Sequence, residues 1–333
     1  MYTDLYGLTE RPFQLTPDAR FWFESRTHKK AMAYLGYGLA QGEGFIVVTG
    51  EIGAGKSTLV AHLLASIDRE RLNAVSLVST QVEGDDMLRL TAQGLGLDTG
   101  GLAKAQILDR VEQRLREEAG RGKRTLLIVD EAQNLPTSAL EELRMLSNFT
   151  SQGRALIQIF LLGQPEFRDR LAEDGGLEQL RQRVIASHHL DAMEADEVQP
   201  YLVHRLAVAG WQGRPAFEPA AFAALHRHSG GLPRRLNQIA ARLMLHAGME
   251  RLDTIAASAV EAVAADMSED RPARAPERVL PLRGAAQAAP DSSLERRIAA
   301  LEARLEEQEA AVRRVLTLLI DWVENEPRRS NAA

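Results

Sequence analysis

Residues 45–58 read FIVVTGEIGAGKST, and the run Gly50, Glu51, Ile52, Gly53, Ala54, Gly55, Lys56, Ser57, Thr58 within it has the types and spacing of a phosphate-binding loop. The glycines let successive backbone N–H groups turn inward around phosphate oxygens. Lys56 supplies a point charge for the β- and γ-phosphates, and the Ser57 hydroxyl is a ligand for Mg²⁺. A helix predicted from about Lys56 to Ile67 adds its positive N-terminus to the same place. Residues 125–131, TLLIVDE, are an apolar run closed by two acids. A strand of that kind is buried on both faces, as in a parallel sheet. Asp130 at its C-terminal end reaches the rim where such sheets bind ligands, and there it can hold Mg²⁺ through water. Glu131 is expected to point away from Asp130, because side chains alternate along a strand, and to orient or deprotonate the attacking water.

Three later segments carry further candidates. LIQIFLLGQPE (residues 156–166) ends a strand at Gln164, whose amide reaches the γ-phosphate and its water if this strand neighbours the P-loop strand. LEQLRQRV places Arg181 and Arg183 in a helix before the last strand. They are either a solvated face or a source of an arginine finger that stabilises transition-state charge across a subunit interface. SGGLPRRLNQIA puts Arg234 and Arg235 in the first turn of a helix, where the dipole disfavours cations and a phosphate would favour them.

These side chains need a scaffold. Candidate strands are 45–49, 74–78, 125–130, 156–162 and 185–190, with helical stretches between them, notably 104–118 and 138–147. That alternation predicts an α/β fold with a doubly wound parallel sheet over 1–190. Residues 191–267 show no strand signal and four helical segments, 195–209, 219–229, 233–248 and 253–266, which read as a small helical lid. Residues 268–290 hold four prolines and read as a disordered linker. Leu294, Ile298, Leu301, Leu305, Gln308, Val312, Val315, Leu319 and Trp322 then alternate at four- and three-residue spacing, predicting a coiled-coil helix over 291–326.

Composition narrows the classes. The chain has 333 residues, 45% hydrophobic and 26% charged, enough for two domains and an extension. A net charge of −6 gives no global field for nucleic acid. With no cysteine there is no disulfide, thiolate metal site or cysteine nucleophile. The N-terminal residues lack the pattern of a signal peptide, and no apolar run approaches the roughly 20 residues of a membrane span. The expected location is cytoplasmic, with peripheral contact at the inner membrane through partners.

Taken in order, GEIGAGKST, IVDEAQNL, FLLGQPEF, LEQLRQRV and GGLPRRLN resemble an AAA+ ATPase of the ExeA-like type found with general secretion and pilus systems. The opening MYTDLYGLTERPFQLTPDARFWFES and the stretch GYGLAQGEGFIVVTG are similar to that group as well. The likeness covers roughly residues 1–265 and is strongest to secretion ATPases of exosortase/PEP-CTERM loci, linked to exopolysaccharide export. The resemblance implies ATP and Mg²⁺ as ligands, bound by Gly50–Thr58 with Asp130 on the metal and Glu131 on water. Gln164 takes the first sensor position, where Asn, Thr or Ser is commoner. Arg181 or Arg183 is the trans finger and Arg234 the second sensor. It also implies a P-loop AAA+ core with a lid, self-assembly into a ring or other homo-oligomer, and envelope export machinery as partner. The alternative is a DNA-directed AAA+ regulator of the transposition-target-selector type. Residues 268–333 speak against it, carrying 11 arginines against 12 acids rather than a basic tail.

Overall fold

The computed structural model describes residues 2–78 and 82–269. The coiled-coil segment, and the linker beyond its first two residues, lie outside the described residues. The chain opens with α1 (Tyr2–Leu5), an extended arm with a 3-10 turn at Ala19–Phe21, and α2 (Arg26–Gln41), whose first turn is capped by the Ser25 side chain. Then follow β1 (Phe45–Gly50), α3 (Lys56–Ser66), β2 (Leu72–Val78), α4 (Gly84–Gly94), α5 (Lys104–Gly120) and β3 (Arg124–Asp130). Next come α6 (Thr137–Leu146), the hairpin β4 (Thr150–Ser151) and β5 (Arg154–Ala155), β6 (Ile157–Gly163), α7 (Pro165–Glu173), α8 (Glu178–Arg181) and β7 (Val184–Leu190). The C-terminal part holds α9 (Ala195–Val208), β8 (Ala216–Phe217), α10 (Pro219–Ser229), α11 (Pro233–Met249), β9 (Thr254–Ile255) and α12 (Ala257–Glu269).

The five long strands form one parallel sheet in the order β2-β3-β6-β1-β7. The period-two alternation of the three central strands, β1, β3 and β6, feeds two separate cores, which is why their runs are apolar for most of their length, whereas the edge strands β2 and β7 carry polar and exposed residues. Phe45 and Val47, Leu127 and Val129, and Ile159 and Leu161 face a core shared with α4, α5, α6 and α7. Ile46 and Val48, Leu126 and Ile128, and Phe160 and Leu162 face the other side, against Ala31 and Leu35 of α2 and Leu59 and Leu63 of α3. The crossovers therefore cover both faces, and the C-terminal ends of β1, β3 and β6 come to one rim. There the P-loop, Asp130 and Gln164 lie side by side.

The helices after β7 have a core of their own, built from Leu202, Leu206, Leu225, Leu243 and their neighbours. Tyr6, Leu8 and Phe13 of the N-terminal arm are buried in this core too. The Tyr6 hydroxyl donates to the Leu252 carbonyl at 2.9 Å. Two readings of this region need correction. Residues 191–267 were expected to lack strands, yet β8 and β9 form a two-residue parallel pair, too short to give a periodic signal. The last helix begins at Ala257 rather than residue 253, because Thr254 and Ile255 belong to that pair, and it runs to Glu269. Among the described residues no helix is long and apolar enough to cross a membrane.

Candidate functional site

The site begins where β1 ends. Glu51 to Gly55 turn tightly into α3, with Gly53 at φ 89° and Gly55 at φ 102°, backbone conformations that side chains with a Cβ rarely adopt. Lys56, the first residue of α3, is 7% exposed. Its ammonium donates to the carbonyls of Gly50 at 2.6 Å and Glu51 at 3.1 Å. Burial pushes the Lys56 ammonium down from its ordinary range, while the charges of Glu131, Asp130 and Glu51 pull it up. The Ser57 hydroxyl lies 3.5 Å from Asp130 Oδ2, across from the end of β3. Burial raises the Asp130 carboxyl, aided by the charge of Glu131 and opposed by the Glu131 N–H bond and by Lys56. A hydroxyl and a carboxylate facing each other are hard oxygen donors of the kind Mg²⁺ takes together with substrate phosphates and water. Among the described residues no cluster of three or more His, Cys, Asp or Glu side chains could hold a metal by itself. The Ser57–Asp130 pair fits an ion that takes its remaining ligands from phosphate oxygens and water.

Glu131 does not continue the strand. Its backbone is left-handed (φ 55°, ψ 40°), so the turn at Ala132–Asn134, and not strand alternation, directs its side chain. This corrects the expectation from β3. The carboxylate meets the end of β6, where Gln164 Nε2 donates to Glu131 Oε2 at 3.3 Å. Gln164 sits one strand from the P-loop because β6 pairs directly with β1. Gln133, which the sequence reading passed over, also donates to Glu131 Oε2.

The lid supplies the opposite wall. The N–H of Arg234, in the first turn of α11, donates to the Gly53 carbonyl at 3.1 Å, and its side chain lies against the P-loop. A cavity of about 310 Å³ opens between these parts, lined by Gly53, Lys56, Ser57, Glu131, Arg234 and Asn237 among others. The N-terminal arm, Gln14 to Asp18, and Arg205 of α9 line it as well. Arg205 is buried and donates to the carbonyls of Pro12 at 2.7 Å and Gln14 at 3.3 Å. The arm is thus clipped to the lid while it walls the cavity. His28 of α2 packs beneath Gly55, its ring nitrogen Nδ1 2.6 Å from the Ser25 hydroxyl. Arg205 and His28 stand in no motif that the linear chain shows.

Arg181 and Arg183 do not line this cavity. Arg181 ends α8 on the surface, paired with Glu178 and donating to the Ala172 carbonyl at 2.7 Å. Arg183 was expected in the same helix but follows it. Its guanidinium donates to Ser147 Oγ at 3.1 Å, and its carbonyl accepts from the Phe45 N–H at 2.9 Å.

A parallel sheet with helices on both faces, a P-loop leaving its strand, one acid at the end of β3 and another in the turn after it, and a helical lid define a P-loop ATPase of the AAA fold. The AAA domain family matches residues 39–171. The chain is similar to General secretion pathway protein A of Aeromonas hydrophila, 38% identical over 248 residues that make up 74% of this chain and 45% of that protein. It thus spans less than half the length of that relative. Among solved structures, Cdc6p from Pyrobaculum aerophilum superposes with a TM-score of 0.58 at 16% identity, covering 77% of this chain and 70% of that one. The ORC2 protein of Aeropyrum pernix gives 0.57 at 16% identity, over 77% and 71%. At such identities these likenesses speak for the fold alone.

Proposed function

We propose that the chain binds Mg-ATP between sheet and lid, hydrolyses it, and uses the resulting change of lid angle to drive or regulate an envelope export system. The observation that carries this reading is the meeting of Lys56, Ser57, Glu131 and Arg234 around one cavity, from loop, helix, acidic turn and lid. In it, Gly50–Thr58 wrap the phosphates and Lys56 neutralises their charge. Ser57 and Asp130 hold the metal, which when bound screens the phosphate charge. Glu131 takes a proton from the attacking water, Gln164 orients that water, and Arg234 reports the γ-phosphate to the lid. Arg181 is the better finger for a neighbouring copy in a homo-oligomer. It is exposed and held by a surface ion pair of the kind worth 0–1 kcal/mol, about what a partner exchange can overcome. Arg183 is occupied by Ser147.

The name of the Aeromonas relative supports a role in secretion, and we place that role at the cytoplasmic side of the inner membrane, reached through partners. The motif resemblance points the load towards an exopolysaccharide, PEP-CTERM-type export system. Lys56→Ala is expected to abolish nucleotide binding. Glu131→Gln should keep binding and lower phosphate release at least about 100-fold. Undiminished turnover by Glu131→Gln would sink the catalytic assignment. Unchanged polymer export in cells carrying that variant would sink the pathway.

A further inference from the structure

One side chain beside the acidic turn ties two parts of the site together. The N–H of Gln164, at the mouth of β6, donates to Gln133 Oε1 at 3.0 Å. A backbone N–H can only donate, so the Gln133 amide must turn its oxygen there and its Nε2 towards the acids. That Nε2 donates to Glu131 Oε2, the same oxygen that accepts from Gln164 Nε2. Gln133, Gln164 and Glu131 thus close a triangle of hydrogen bonds. Its corners are the 3-10 turn after β3, the end of β6 and the acid itself. Glu131 sits at the left-handed residue that starts the turn, so ladder hydrogen bonds of the sheet do not fix its direction.

We propose that Gln133 is a positioning residue for ATP hydrolysis: it sets the direction of the Glu131 carboxylate and links it to the strand end that faces the γ-phosphate. The inference rests on the reading of Glu131 as the base. With two amides on Oε2, the carboxylate cannot rotate without breaking both bonds. Any shift of Gln164 on meeting a phosphate pulls on Gln133 through its oxygen, and so on Glu131. Gln133 itself need not touch nucleotide, and it does not line the cavity. Its removal should therefore leave ATP affinity alone and misdirect the base, and a misplacement of about 1 Å costs roughly 100-fold.

The test uses the full chain and two near-isosteric variants. Gln133→Met keeps the length and removes both hydrogen bonds. Gln133→Glu keeps an acceptor for the Gln164 N–H but sets a second carboxylate against Glu131. Both should lower kcat roughly 10- to 100-fold, with the KM for ATP and the affinity for a fluorescent ATP analogue within about twofold. In the Glu131→Gln background Gln133→Met should lower residual turnover by less than about twofold, because residues that act as a unit are not additive. If Glu131→Gln turns over undiminished, the reading of the base has failed. If Glu131→Gln is inactive while Gln133→Met or Gln133→Glu keeps wild-type kcat, the inference about Gln133 fails alone. A loss confined to thermal stability, or one that appears in KM and not kcat, overturns it as well.

Discussion

Gly53→Ala tests whether the lid really closes on the P-loop. A Cβ at Gly53 would stand 2.5 Å from the Cβ of Arg234, where ordinary carbon contacts lie at about 3.5–4.0 Å. Arg234 Cβ is fixed to the backbone of α11 and cannot swing aside, so loop and helix must separate by about an ångström. Two costs follow. A side chain at φ 89° adds about 1–2 kcal/mol, and losing the bond from the Arg234 N–H to the Gly53 carbonyl adds about 1 kcal/mol. The total, about 2–3 kcal/mol, can appear as unfolding or as an open lid. The lid keeps its own core, so lifting it is the milder response. If about half of the total is spent that way, nucleotide affinity drops roughly tenfold. Gly153→Ala is the control. Gly153 is also left-handed (φ 74°), but a Cβ there meets nothing within 4 Å. It should cost about 1 kcal/mol of stability and leave binding intact. Titration with a fluorescent ATP analogue and thermal melts of both variants give the answer. Binding by Gly53→Ala equal to wild type, with a melting temperature no lower than that of Gly153→Ala, would refute the closed contact.

Two other outcomes are expected. Arg181→Ala and Lys56→Ala should each be inactive alone, yet recover activity when mixed, because a Lys56→Ala subunit can lend its arginine to an intact nucleotide site; phosphate release that stays at background in the mixture refutes the trans finger. Burial lowers His28 to about 4 from its ordinary 6.5, so the folded state holds it neutral where the unfolded chain begins to bind a proton. Its contribution is complete above about pH 6.5 and is lost as pH falls towards 4, by about 3 kcal/mol in all. Urea melts at pH 7 and pH 5 should show this loss, and His28→Gln should flatten it; equal slopes in the two proteins would refute the assignment.

Much of the architecture was legible because it rests on local signals. The three central strands announced themselves as apolar runs, since both faces of the sheet are buried there, and the edge strands gave shorter, mixed runs. The P-loop was legible because its function depends on a fixed order of backbone conformations that only certain residues adopt. What could not be read depends on contacts between distant segments. The left-handed turn at Glu131 overrides strand alternation, and nothing in DEAQN marks it. Gln133 acquires its place only when β6 settles beside β3 and brings the Gln164 N–H to it. The arm at Gln14–Asp18 becomes a cavity wall only through Arg205, some 190 residues away. The pairing of β8 with β9 joins two-residue pieces on either side of two helices, below the length at which a period can show.

The burial of Tyr6, Leu8 and Phe13 within the lid has a bearing on how the chain is made. The Tyr6 hydroxyl finds its acceptor 246 residues later, at Leu252. At about 5–20 residues per second, ribosomal synthesis separates the two partners by roughly 10–50 seconds. The sheet and P-loop can assemble as they emerge, but these apolar pieces of the lid's core are translated before the lid's helices and must wait, exposed, for them. The two halves of the cavity are thus completed in a fixed order, with a finished phosphate loop preceding the clasp that covers it.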